Sequence, residues 1–167
     1  MADLALVRID SRMVHGQVCT SWIGSIKATK IILIDDALYN DKVMSQILAF
    51  AAPQNVPLKL MTCDLAAEEW KKDQFGNGRV FIIFQNVMNA HRAYFKGFKY
   101  PELQVGGIEG AKPGKKVVHE NISIDQNEAK LLSEISKDGC KIYFQMIPSS
   151  SIVSIDNVLA KNFSEYK

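Results

Sequence analysis

Short runs of aliphatic and β-branched residues alternate along this chain with longer stretches whose apolar positions recur every three to four residues. The runs at 4–9, 30–34, 58–61, 79–85, 103–105 and 141–147 read as strands. Between them, 16–24, 41–52, 65–72, 89–96 and 125–137 carry a helical period. In the first of these helices Val18, Trp22 and Ile23 can face inward. In the second, Val43, Ile47, Leu48 and Ala51 form one stripe and Pro53 stops the helix. Asp64 is placed to cap the third, accepting free N–H groups at its start. Leu131, Leu132 and Ile135 point the last one at a core, and 149–167 offers Ile152, Ile155, Val158 and Leu159 as apolar contacts.

Strand and helix in regular alternation predict an α/β fold with a mostly parallel sheet covered by helices. At 167 residues the chain fits one domain spanning 1–167, long enough to bury roughly 70% of its unfolded surface. There is no internal repeat or low-complexity tract to divide it.

Composition narrows the function classes. Twenty basic against 18 acidic residues give a net charge of +2, too balanced to predict nucleic acid or an anionic membrane surface as the main partner. The N-terminus lacks the basic-then-apolar order of a signal peptide, and no stretch approaches the ~20 apolar residues of a membrane span. Cys19, Cys63 and Cys140 are widely spaced with no C-x-x-C, so they read as reduced thiols of a cytoplasmic protein. No metal or cofactor is implied.

The chemistry concentrates in Val7-Arg8-Ile9-Asp10-Ser11-Arg12-Met13-Val14-His15-Gly16-Gln17-Val18. A strand ends, a short loop carries two arginines, an aspartate and a histidine, and a helix opens at glycine. In open α/β sheets ligands bind beyond the carboxyl ends of the strands. Free N–H groups and the dipole at a helix start favour an anion there. A neutral imidazole, with a reference pKa of ~6.5, is a competent nucleophile, and nearby arginines favour its neutral form while Asp10 works the other way. His15 therefore reads either as a phosphate acceptor with Arg12 and Asp10 beside it or, as a lone loop histidine, as a plain polar surface residue. Asp10 is placed to orient either an arginine or the imidazole.

Other residues have plainer readings beside the chemical ones. Asp35-Asp36 at a strand end suggests the acidic pocket of a phosphate-accepting receiver domain, but a solvated strand end or loop contact accounts for it better. Lys112, Lys115 and Lys116 in a glycine-rich loop suit a phosphate, an acidic partner or plain solvent. His91 and His119 lack ligand spacing and read as surface or capping residues. Tyr94, Phe95, Phe98 and Tyr100 suit core packing more than docking.

The string from Val7 to Val18 closely resembles the active-site motif of the IIB components of the mannose/fructose/sorbose phosphotransferase family, approximately V-R-I-D-x-R-hydrophobic-hydrophobic-H-G-Q-V. Ile34-Asp35-Asp36-Ala37, Ala51-Ala52-Pro53, the stretch from Val105-Gly106-Gly107 through Gly110 to Lys115, and Met146-Ile147-Pro148 extend the resemblance along most of the chain. Ser149-Ser150 departs from the acidic residues often found after that proline.

The resemblance implies a three-layer α/β/α fold with about six or seven strands in the order 3-2-4-1-5-6. It implies that His15 takes phosphate, on Nδ1, from a IIA phosphohistidine and passes it to a sugar held by membrane IIC and IID partners, which supply the only membrane association. Arg12 steadies the transferred group, Asp10 and Arg8 shape the loop, and Arg8, Gly16, Gln17, Asn86 and Gly107 line the phosphate site. The competing reading is a non-catalytic α/β module that binds small anions or regulates. A histidine phosphatase fits poorly, because Val14 stands where those enzymes need arginine before His-Gly.

Overall fold

A computed structural model describes residues 1–14, 16–108 and 112–167, and of residues 17–20 only the backbone. In chain order the elements are β1 (Asp3–Ile9), α1 (Gly16–Ile26), β2 (Lys30–Ile34), α2 (Asp36–Asn40), α3 (Lys42–Ala51), β3 (Leu58–Met61), α4 (Cys63–Asp73), β4 (Arg79–Phe84) and α5 (Val87–Lys96). They continue with β5 (Glu102–Val105), β6 (Lys116–His119), β7 (Ile122–Ile124), α6 (Gln126–Lys137), β8 (Lys141–Phe144), β9 (Val153–Ser154) and α7 (Ile155–Asn162).

Seven strands form one sheet in the order β3-β2-β4-β1-β5-β8-β9, parallel throughout except where β9 runs back along β8. The order expected from the sequence is this one, with β8 as its sixth strand and the two-residue β9 added at the edge. The hairpin β6–β7 stands apart from the sheet and is an addition to the sequence reading.

Strand alternation sorts the core into two layers. Ile32, Ile34, Val80, Ile82 and Phe84 face α4, α5, α6 and α7. Ile31, Leu33, Phe81 and Ile83 face the layer that contains Trp22 of α1 and Leu48 of α3. Strands buried on both faces read as unbroken apolar runs, which is why β2 and β4 stand out in the sequence.

Several local expectations are corrected. Thr62, not Asp64, caps α4, its hydroxyl accepting from Leu65 N at 3.1 Å; Asp64 lies in the first turn and pairs with Lys96. The stripe predicted to face inward on α3 is mostly exposed, with only Leu48 fully buried, because α3 touches the sheet at its β3 margin. Phe50 on the same helix is 91% exposed. In the tail, Ile155, Val158 and Leu159 do bury, whereas Ile152 is exposed. Tyr94, Phe98 and Tyr100 pack in the core with mutual edge-on contacts, and Phe95 lies at the surface.

Candidate functional site at the carboxyl edge of the sheet

The chain leaves β1 toward α1 on one face of the sheet and leaves β5 toward α6 on the other. That divergence, at the carboxyl ends of two adjacent strands, is the position at which open α/β sheets bind their ligands. The ladder runs one residue past each strand and so sets the loops in register. Asp10 N donates to Phe84 O (2.9 Å), Gly106 N to Ile9 O (2.9 Å) and Gln145 N to Val105 O (3.0 Å).

Arg8 occupies a core position on β1, on the face that carries Leu6 and Trp22, and its side chain is completely buried. Its guanidinium lies 4.9 Å from the centroid of the Trp22 ring. All five of its N–H directions meet protein acceptors. Nε and Nη2 donate to Asp10 Oδ2 (3.1 and 2.9 Å), Nη1 to Gln104 Oε1 and Gln145 O (2.9 Å to the latter), and Nη2 also to Met146 O (2.8 Å). Burial lowers the Arg8 pKa from its ordinary value and Asp10 opposes that fall. A guanidinium enclosed in this way has no donor left for a phosphate, so the geometry makes Arg8 a support for Asp10 and not a phosphate contact.

Asp10, itself buried, divides its oxygens between two arginines. Oδ1 accepts from the Arg12 main-chain N–H (3.1 Å) and Arg12 Nε (3.2 Å), while Oδ2 takes Arg8 and, at 3.4 Å, Arg12 Nη2. Two guanidinium cations against one carboxylate leave one positive charge at the strand end. Arg12 carries that charge outward, its side chain 47% exposed and its Nη2 3.7 Å from Met146 Sδ.

The loop is shaped to hold this arrangement. Ser11 N and Oγ both donate to Gly107 O at 2.8 Å, and Met13 adopts a left-handed φ of 56°. Gly16, at the start of α1, has φ 65°. A Cβ on Gly107 would stand 2.7 Å from Arg12 Nη2 and one on Gly106 would run into the Arg8 guanidinium, so the two glycines after β5 make room for Arg8 of β1 and for Arg12 of the loop that follows it.

His15 lies outside the described residues, as do Gly110 and Ala111 of the glycine-rich loop, and the Gln17 side chain is likewise not described. Asn86 sits at the end of β4 as the cap of α5, where its Oδ1 accepts from Asn89 N at 2.9 Å. Of the two plain readings of Asp35 and Asp36, the structure shows the loop contact and not the solvated strand end. Asp35 is buried, caps α2 through Leu38 N (2.9 Å) and accepts from Asn89 Nδ2 (2.7 Å). Asp36 accepts from Cys63 N (2.7 Å) and Arg92 Nη1 (2.6 Å). Lys115 pairs with Glu128 (3.1 Å) and Lys116 donates to Asn162 O (2.8 Å), so both serve the α6–α7 side. His91 meets Glu134 and His119 meets Ser151 O.

Among the described residues no group of three or more His, Cys, Asp or Glu is arranged to hold a metal ion, and no helix is long and apolar enough to cross a membrane. The sequence reading missed Gln104, Gln145 and Met146 as parts of the site; Gln104 alternates with Leu103 and Val105 and so reads as an outward polar position, although β5 is covered on both faces.

Residues 4–167 match the family described as the PTS system sorbose subfamily IIB component, where PTS denotes the phosphotransferase system. The chain belongs to that IIB family. It is 30% identical over 153 residues to the sorbose-specific EIIB component of Klebsiella pneumoniae, covering 92% of this chain and 93% of that protein. It is 23% identical over 158 residues to the mannose-specific EIIAB component of Escherichia coli, covering 95% of this chain and 49% of that one. Among solved structures it superimposes on manxB from Thermoanaerobacter tengcongensis with a TM-score of 0.88 at 32% identity, covering 98% of both chains. The protein is thus a IIB component of the phosphotransferase system, a transferase class that serves sugar transport, and its three-layer α/β/α fold is that of the family.

Proposed function

We propose that this IIB component carries a phosphoryl group on His15, received from a phosphohistidine of a IIA partner and passed to a sugar bound by membrane IIC and IID partners. Its activity is then that of a protein-Nπ-phosphohistidine–sugar phosphotransferase of the mannose/fructose/sorbose/amino-sugar type. Residues 1–167 act as one domain in the cytoplasm and reach the membrane only through the partners. The match to an EIIAB chain supports a IIA partner.

The observation that carries the reading is the Arg12 guanidinium, half exposed at the carboxyl edge of the sheet and fixed from behind by buried Asp10, three residues before His15. In the first step a ring nitrogen of His15 forms an N–P bond as the donor's N–P bond breaks, and the donor imidazole leaves with that electron pair. In the second, a sugar hydroxyl oxygen forms an O–P bond as the His15 N–P bond breaks, and the hydroxyl proton passes to solvent. Such transfer needs positioning and stabilisation of charge on the equatorial oxygens. Arg12, the N–H groups at the start of α1 and the Gly107 backbone suit that task, with Gly16, Gln17 and Asn86 lining the phosphate site. Asp10 orients Arg12.

Incubation with a phosphorylated IIA protein and labelled donor tests this. Acid-labile label on the wild type and none on His15→Ala is the expected result. An unlabelled wild type, or equal labelling of both proteins, would return the chain to a non-catalytic anion-binding or regulatory role.

A further inference from the structure

Behind the two arginines lies a buried chain of amides that the phosphoryl chemistry does not touch. Gln104 on β5 is 1% exposed, and its Oε1 accepts from Arg8 Nη1. Its Nε2 donates to Gln145 Oε1 at 3.0 Å. Gln145 Nε2 in turn donates to Ser150 O (3.0 Å) and Pro148 O (3.3 Å), the carbonyls of the turn after β8. Every amide in this series has one orientation available. Arg8 has only donors, so Gln104 must present its oxygen. That turns its nitrogen to Gln145, whose own nitrogen must then meet the turn. The series ends at Arg12, because Arg8 and Arg12 share the carboxylate of Asp10.

We infer that Gln104 and Gln145 are positioning residues that set the direction of the Arg12 guanidinium through Arg8 and Asp10, tying it to the Pro148–Ser150 turn. The inference rests on the proposed role of Arg12 in phosphoryl transfer. Losing the Gln104 oxygen leaves one Arg8 N–H unpaired in a dry site. Arg8 then turns toward its remaining acceptors, Asp10 follows, and the Arg12 Nε bond to Oδ1 opens. Both glutamines are buried, out of reach of a phosphorylated donor, so the donor's KM holds while the chemical step slows.

The experiment uses Gln104→Met, of nearly equal volume, with Gln145→Met as the milder variant that keeps both carbonyls holding Arg8. Two readouts are taken on the full chain. One is the Arg12 Nε–H signal in nitrogen-edited NMR; the other is single-turnover transfer from a phosphorylated IIA protein, normalised to folded protein. Gln104→Met is expected to shift or broaden the Arg12 signal and to slow transfer about tenfold to a hundredfold at unchanged donor KM. Gln145→Met does the same to a smaller degree. An unmoved Arg12 signal in both variants overturns the inference, and so does a wild-type transfer rate in Gln104→Met when the wild type is labelled. If the wild type takes no phosphate but the Arg12 signal still moves, the proposed function fails and the positioning stands.

Discussion

Asp10 grips Arg12 twice through Oδ1 alone, accepting its main-chain N–H at 3.1 Å and its Nε at 3.2 Å. A residue two positions away in the chain thus fixes both the loop and the side chain that leaves it. Its other oxygen neutralises the enclosed Arg8. Removing Asp10 leaves a buried guanidinium unpaired, which in other proteins costs about 3–5 kcal/mol. Asp10→Ala is expected to lose stability on that scale in urea unfolding, and Asp10→Asn less, since an amide oxygen still accepts. Stability of Asp10→Ala within about 0.5 kcal/mol of the wild type would contradict this account.

Arg12 faces the opposite way. Half exposed and ion-paired to Asp10 of its own loop, it contributes little to folding. Arg12→Ala should keep the wild-type circular dichroism spectrum and melting temperature while transfer falls by about tenfold to a hundredfold, the value of a charge-assisted hydrogen bond of about 1.5–3 kcal/mol. Rapid-quench measurement of phosphohistidine formation checks it.

The neighbouring glycines separate the two arginines by experiment. An added Cβ at Gly106 runs into the Arg8 guanidinium, which is clamped at all five N–H groups and has nowhere to go. Gly106→Ala should therefore unfold at a markedly lower urea concentration, by about 1–3 kcal/mol. At Gly107 the Cβ meets Arg12 at 2.7 Å, and that side chain is free to swing outward. Gly107→Ala should keep most of its stability and lose transfer rate. The reverse ranking of stabilities would overturn the assignment of one arginine to the core and the other to the site.

Asp36 supplies a pH test away from the site. Burial alone would raise its pKa, but the Cys63 N–H and Arg92 outweigh that and hold it below the ordinary 3.8. A carboxylate with a depressed folded pKa contributes stability above its unfolded value and loses it as pH falls through the folded value. The stability gap between wild type and Asp36→Ala should thus be flat from neutral pH down to about 4, at about 1 kcal/mol after solvent screening, and close below that. Urea unfolding at stepped pH measures it; a gap that widens in acid has the wrong sign.

Burial also pushes the Cys63 and Cys140 thiols up to about 12. At pH 8 about one in ten thousand is then thiolate, so both should resist iodoacetamide in the native protein and react fully in urea. Peptide mass spectrometry separates them from Cys19.

Much of this protein is local, and the local part is legible in the sequence. Unbroken apolar runs mark β2 and β4 because both of their faces are covered. The alternation of strand and helix determines the layer class, and Asp10, Ser11 and Arg12 fall together because a tight loop leaves them no distance to separate. Amphipathic period cannot say whether a second layer arrives to cover a helix, so the apolar stripe of α3 reads as core although only Leu48 is buried. The division of labour between the arginines lies beyond the sequence for the same reason. Arg8 and Arg12 look alike in the string, but β5 and β8 bring Gln104, Gly106, Gln145 and Met146 around one of them. Those partners lie 96 to 138 positions away from Arg8 and close on it only when the parallel sheet sets its strand ends side by side.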